Sequence, residues 1–147
     1  MPFVPPDFQV PGTLDGPSFI LVPLGPQHNE RDYDAWTSSM DHIHATPGFG
    51  SSEWPKAMTL DENLADLVRH GTDFEERTGF TYSVLEGVEV VGCVYIYPSV
   101  DPGHDAEVRS WVRASRAELD EVLWQEVSAW LAAEWPFEHA RYAARVS

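Results

Sequence analysis

Several short stretches of this sequence carry residue types that do chemistry. AEVRSWVRAS, residues 106–115, sets Glu107 two positions before Arg109, with His104 and Asp105 just ahead of it. A carboxylate in such a run serves as a general base once burial or an apolar neighbour lifts its pKa toward neutrality. The plainer reading is a surface pair between Glu107 and Arg109. A histidine oriented by an aspartate is also a base, but adjacent strand residues point to opposite faces, which leaves His104 and Asp105 in a solvated loop. DHIH, residues 41–44, has the H-x-H spacing of some metal sites. On a helix, residues two apart do not face each other and no third ligand is evident, so no metal site is expected. The single cysteine, Cys93, lies in the apolar run VVGCVYIY and reads as a buried core thiol, with no internal disulfide to form.

The longest candidate is VRSWVRASRAELDEVLWQEV, residues 108–127, a strand running straight into a helix. The first amides of a helix lack intrahelical partners and sit at the positive end of its dipole, which makes such a junction a place to hold phosphate. Here Ser115 and Glu118 form a capping-box pattern that would consume those donors. Glu118, Asp120 and Glu121 add negative charge within one turn, and Arg113 and Arg116 offset part of it. The junction therefore reads as built on a phosphate-binding plan and at least half closed.

The elements that must position these residues can be read from periodicity. Residues 1–17 hold five prolines and two glycines and form an extended arm, with Phe3, Val4 and Phe8 as anchors. SFILVPL, residues 18–24, is a short strand. Tyr33, Trp36, Met40 and Ile43 share one face of a helix from Asn29 to Ala45, capped by Asn29 with Asp32. A Gly-, Ser- and Pro-rich loop follows and carries Phe49 and Trp54. Thr59 with Glu62 is a capping box for a second helix with the stripe Leu60, Leu64, Leu67 and Val68. GFTYSVL and VEVVGCVYIYP form a hairpin turning at Glu86-Gly87. AEVRSWVRA is the next strand, with Ala106, Val108, Ser110 and Val112 on one face and Glu107, Arg109, Trp111 and Arg113 on the other. A long helix buries Leu119, Val122, Leu123, Val127, Trp130 and Leu131 and stops at Pro136, and ARYAARV, residues 140–146, is a last strand. Trp54 with Tyr82, Tyr95, Tyr97 and Trp111 reads either as the aromatic wall of a cleft or as core.

At 147 residues the chain is one domain, residues 18–147 behind the arm, with a core that needs no cofactor or disulfide for stability. A net charge of -15 disfavours nucleic acid and anionic membrane as partners. No secretory signal pattern and no apolar run of about 20 residues is present, so a cytoplasmic protein is expected.

The element order β-α-α-β-β-β-α-β, an α/β layer with helices on both faces of a mixed central sheet, resembles the GNAT superfamily of N-acetyltransferases. The resemblance covers roughly residues 19–145 and is strongest at AEVRSWVRASRAELDEVLWQEVSAWL. It implies a fourth strand whose backbone at Trp111, Val112 and Arg113 binds the pantetheine arm of acetyl-CoA. It also implies a turn of Ala114, Ser115, Arg116 and Ala117 that takes the pyrophosphate, and a general base at Glu107 with His104 as a second candidate. The acceptor, a small molecule bearing an amine, would approach from the 45–58 loop past Trp54, Tyr82 and Tyr95. RAELDE, residues 116–121, keeps only the arginine of the family's phosphate signature, with Leu119 and Glu121 in the glycine places. The helix and two strands that usually complete that fold are not expected. The implied function is acyl-CoA-dependent transfer of an acetyl group to an amine. The alternative is a non-catalytic module binding a small molecule or a protein on the same scaffold. The last strand leaves an edge that a homodimer would cover.

Overall fold

The computed structural model describes residues 2 to 145. Six strands form one sheet in chain order: β1 (Leu14–Asp15), β2 (Ile20–Pro23), β3 (Phe80–Glu86), β4 (Glu89–Tyr97), β5 (Ala106–Val112) and β6 (Ala140–Tyr142). Every neighbouring pair is antiparallel except β5 and β6, which run parallel. Helices α1 (Asn29–Thr37), α2 (Met40–His44) and α3 (Leu60–Glu75) connect β2 to β3, and α4 (Leu119–Glu134) connects β5 to β6. The chain is thus an α/β protein with a mixed sheet and helices on both faces.

Strand alternation divides the interior in two. Tyr82, Val94, Val108 and Val112 face α4 and pack with Leu123, Val127, Trp130 and Trp135. Cys93 and Trp111 face the other way and pack with Trp36, Ile43, Phe49 and Leu67 from the first three helices and their loop. The arm belongs to the α4 side: Val4 is buried there, Phe3 and Phe8 pack against it, and the Tyr82 hydroxyl donates to the Pro11 carbonyl at 2.6 Å. Its end joins the sheet as β1, because Leu14 and Asp15 pair with Leu21 and Ile20. Arg77, in the left-handed region at φ 63°, donates from Nη2 to the carbonyls of Pro5 and Phe8, each at 2.8 Å.

Several local expectations are revised. The helix expected from Asn29 to Ala45 is broken between Thr37 and Met40, where the Ser38 hydroxyl turns back onto the Asp34 carbonyl at 2.8 Å. Asn29 does not cap it; its side chain spans to α3, donating to the Leu60 carbonyl at 3.2 Å. The α3 capping box is present, with Glu62 N 3.1 Å from Thr59 Oγ1 and Thr59 N 2.8 Å from Glu62 Oε1. Of the expected α3 stripe only Leu67 is buried, while Leu60, Leu64 and Val68 lie exposed. The hairpin turns at Gly87 and Val88, one position later than expected, since Glu86 pairs with Glu89 and Gly87 supplies a positive φ of 62°. The last strand stops at Tyr142, and Val146 lies outside the described residues. No helix among the described residues is long and apolar enough to cross a membrane.

The irregularity that matters most for the site is in β4. Val84 pairs with Gly92 but Leu85 with Val90, so Val91 is an extra residue that bends the strand and exchanges the faces of its neighbours. Gly92 then lies so close to β5 that a Cβ there would meet the Trp111 carbonyl oxygen at 2.3 Å. We expect Gly92→Ala to destabilise the fold by about 2 kcal/mol or more, because backbone rather than a flexible side chain must yield. Urea unfolding checks this, and a midpoint equal to the parent's would contradict the close approach.

Candidate functional site

On the face of the sheet away from α4, a cavity of about 880 Å³ opens between α3, the 45–58 loop and strands β4 and β5. Its floor follows from the period-2 pattern of β4, which sends Cys93, Tyr95 and Tyr97 to one side, with Arg109 beside Tyr95 on β5. Its wall is aromatic. Trp54 lies 5.4 Å from Trp36, 6.1 Å from Phe49 and 6.4 Å from Tyr95 between ring centroids. Beneath them Trp111 donates from Nε1 to the Tyr95 hydroxyl at 2.9 Å.

One end of the cavity is set by a buried polar cluster. Asn63 on α3 accepts from Trp36 Nε1 at 3.0 Å and donates from Nδ2 to Asn29 Oδ1 at 2.8 Å and to Asp32 Oδ2 at 3.1 Å. Asp32 is only 5% exposed, and no other donor among the described residues reaches its carboxylate. Burial pushes its pKa up to about 6, with Asp66 adding to the rise and the Asn63 bond opposing it. At neutral pH the carboxylate is therefore ionised, in a place where a charge is costly unless a ligand answers it.

His70 stands further along α3. Its Nδ1 lies 2.8 Å from the Tyr97 hydroxyl, whose single proton is donated to Asp73 Oδ2 at 2.8 Å. Nδ1 must therefore be the donor in that contact, which leaves Nε2 as the unprotonated nitrogen. Burial first, then Arg69, lowers the His70 pKa to about 4, so the ring is neutral at physiological pH.

The other charged residues of the cavity are mostly spent on each other. Lys56 pairs with Glu53 at 3.0 Å, Arg69 lies 3.6 Å from Asp66, and Glu62 serves the α3 cap. Arg109 is the exception. Its guanidinium lies 5.0 Å over the Phe49 ring and meets no carboxylate among the described residues.

The junction after β5 is built differently from the sequence expectation. Residues Ala114–Arg116 form a 3₁₀ turn and α4 begins at Leu119 with no side-chain cap, so the Ser115 to Glu118 capping box does not form. Other groups engage part of the turn. The Ala114 amide donates to the Ser39 hydroxyl at 2.8 Å, and the Arg116 amide to the Arg113 carbonyl at 2.9 Å. Arg113 pairs with Asp34 at 3.1 Å, and Arg116 grips both Glu86 and Glu118. The Arg113 amide also bonds the Val91 carbonyl at 2.8 Å, so strand alternation turns the Val112 peptide groups toward β6 instead.

Beyond Tyr142 the two parallel strands no longer pair, and Arg145 fills the space between them. It is 7% exposed and donates to the Ser110 carbonyl at 2.7 Å and to Asp120 Oδ2 at 3.0 Å. The Tyr142 and Ser110 hydroxyls meet beside it at 2.5 Å.

The residues singled out from sequence therefore divide. Trp54, Tyr95 and Tyr97 line the cavity, as do Arg109 and Cys93. Tyr82 does not: it faces α4 on the opposite side of the sheet. Glu107 shares a strand face with Arg109 but lies beyond the cavity and pairs with Arg141 of β6, not with Arg109. His104 is held at 2.8 Å by Asp101, while Asp105 accepts the amides of Glu138 and His139 at 2.8 and 3.1 Å. In DHIH, His44 Nε2 lies 2.7 Å from the Pro55 carbonyl, and no group of three metal-ligating side chains occurs among the described residues. Burial raises the Cys93 thiol well above its ordinary range, which disfavours a thiolate. Sequence reasoning did not find Asp32, Asn63, His70 or Arg109 as cavity groups. The available signal for the first was its helical spacing: Asp32 stands four residues before Trp36, on the same face.

Several solved acetyltransferases superpose on this chain. The ribosomal L7/L12 alpha-N-protein acetyltransferase RimL superposes with a TM-score of 0.61 at 12% identity, over 80% of this chain and 62% of that one. The ribosomal-protein-S5-alanine acetyltransferase from Vibrio fischeri gives 0.64 at 10%, over 82% and 65%. The microcin C7 self-immunity acetyltransferase MccE, solved with acetyl-CoA and AMP, gives 0.59 at 9%, over 80% and 62%. This chain has the GNAT acetyltransferase fold. It spans a little under two thirds of the length of each of these structures. No family model matches its sequence, and no curated protein does.

The two shifted groups of the cavity make opposite contributions to stability. Asp32 has a raised pKa, so the native state holds more protons than the unfolded chain between about pH 4 and 6 and loses stability as pH rises through that window. His70 has a lowered pKa, so from about pH 4 to 6.5 the native state holds fewer protons and gains stability as pH rises. Asp32→Asn removes only the first contribution. Its urea midpoint should exceed the parent's at pH 7, by about 2 kcal/mol of stability, and the gain should vanish near pH 4. A gain that does not change with pH would contradict the raised pKa.

Proposed function

We propose that this chain is an acyl-CoA-dependent N-acyltransferase that takes acetyl-CoA as donor and an amine-bearing small molecule as acceptor. The observation that carries this reading is the double use of β5. Arg109 of that strand lines the aromatic cavity, and the turn at its end leads into α4 at the place where the fold family receives its cofactor. An acceptor in the cavity would lie beside β5, and Asp32 and neutral His70 are the proton acceptors available to its amine. This reading gives Glu107 no part in that step, because Glu107 pairs with Arg141 and lies outside the cavity.

The junction fits a pyrophosphate in residue type and opposes it in occupancy. Arg113 and Arg116 flank the turn as phosphate-binding cations, but each is already paired with acids. When bound, acetyl-CoA supplies the activated acyl carbon. The chain's own part is to free Arg113 and Arg116 for the phosphates and to move Arg145 out of the space between β5 and β6. The peptide groups of Val112, turned toward that space, would then meet the pantetheine arm.

A second reading, a non-catalytic binding module, is favoured by the contacts that fill the same space with the protein's own groups, Arg145 on Ser110 and Ala114 on Ser39. Calorimetric titration with acetyl-CoA at low and moderate salt separates the two. The first reading predicts binding that weakens as salt rises, and it predicts that Arg145→Ala tightens binding about tenfold, since the closed form withholds the site. No heat and no thermal shift with either protein would leave the second reading standing. The proposal extends to a homodimer covering β6, the strand at one edge of the sheet. A monomeric mass by sedimentation equilibrium would remove that part.

A further inference from the structure

Two charged side chains of the cavity have no partner of opposite charge among the described residues: Asp32 at one end and Arg109 at the other. No ion pair joins them to each other. Every other lysine, arginine and acid on the lining is held either by a neighbouring charge or by a helix cap. A succession of contacts through rings links the two. Trp36, tied to Asp32 through Asn63, is followed by Trp54 at 5.4 Å and Phe49 at 6.1 Å, and Arg109 lies over Phe49. Of these rings Trp54 and Phe49 reach the cavity lining, and Trp36 is fully buried beside Trp54.

We propose that the cavity takes a zwitterionic small molecule, its ammonium group at Asp32, its carboxylate at Arg109, and a flat apolar body against Trp54. A buried carboxylate with one oxygen bonded to an amide and no cation of its own is suited to an ammonium group. A guanidinium parked on a ring keeps its forked donors free for a carboxylate, and Arg rather than Lys suits such a two-point contact. The aromatic row supplies stacking surface and a favourable environment for the cationic end. The ionisation of Asp32 above about pH 6 agrees with this assignment. A single-headed amine would leave Arg109 unanswered, and a single-headed acid would leave Asp32 buried without a cation.

The ligand class deepens the acyl-transfer reading by describing its acceptor, and it is tested without any acyl donor. The probes are 4-(aminomethyl)phenylacetate and 4-(aminomethyl)benzoate, each compared by calorimetry with the analogue carrying methyl in place of aminomethyl and the analogue carrying methyl in place of the acidic group. Both zwitterions, or the better-fitting one, should bind at least about tenfold more tightly than either single-headed analogue. Asp32→Asn should erase the preference over the acid analogue while keeping the preference over the amine. Arg109→Gln should do the reverse, and a thermal melt reports whether each variant is folded. At pH 6, binding of the zwitterion should release protons from Asp32, seen as heat that varies with the ionisation enthalpy of the buffer.

If no zwitterion binds, or both analogues bind as well as the zwitterions, the proposal is overturned. If Asp32→Asn and Arg109→Gln weaken all probes equally, it is overturned as well. Binding here with none for acetyl-CoA would sink the acyl-transfer reading alone.

Discussion

The architecture above the sheet hangs on one carboxamide. Asn63, 3% exposed, uses its oxygen for the Trp36 indole and its nitrogen for Asn29 and Asp32, so it ties α3 to the first turns of α1 across the cavity's inner end. Buried amides keep their place only when their bonds are made, because an unanswered donor or acceptor costs about 1 to 3 kcal/mol. That requirement fixes the amide's orientation and holds the Asp32 carboxylate. It also sets Trp36 as the first ring of the aromatic row. Removing the amide would loosen a helix pair and the packing behind Trp54 together.

The two halves of the sheet are joined by the same economy. The extra residue in β4 lets Val91 turn its carbonyl to the Arg113 amide, while its side chain packs toward α4 and those of Val90 and Cys93 face the cavity side. At the end of β5 the amides of Arg113, Ala114 and Arg116 are shared out among Val91, Ser39 and the turn itself. Those amides are thus engaged by a distant side chain, by β4 and by the turn, not by a helix cap.

Much of this was legible in the residues. Periodicity located the strands and helices, the Thr59–Glu62 spacing marked the start of α3, and the apolar setting of Cys93 announced a buried thiol. Alternation along AEVRSWV correctly separated Val108 and Val112 from Trp111. The failures share a cause. Asp32 reads locally as a residue of a helix's first turn, and only its contact with Asn63, 31 positions away, makes it a cavity group. Ser115 and Glu118 have the spacing of a cap, but the 3₁₀ turn delays the helix past them and Arg116 captures the glutamate. Glu107 and Arg109 look like natural partners until β6 brings in Arg141 from 34 residues further on. Tyr82 looked like Tyr95 in composition, yet the shift of face along the hairpin sends it to the opposite core.

The distribution of tryptophan across the sheet has an optical consequence. Trp36, Trp54 and Trp111 stand on the cavity side, while Trp130 and Trp135 pack at 5.4 Å on the α4 side. Indoles this close couple electronically, so each side of the sheet carries its own chromophore group. Replacing Trp54, which touches both Trp36 and Trp111, would change the cavity side's share of the near-ultraviolet spectrum and leave the signal from the α4 face as an internal reference. The protein carries a built-in reporter for each of its two interiors, with no label attached.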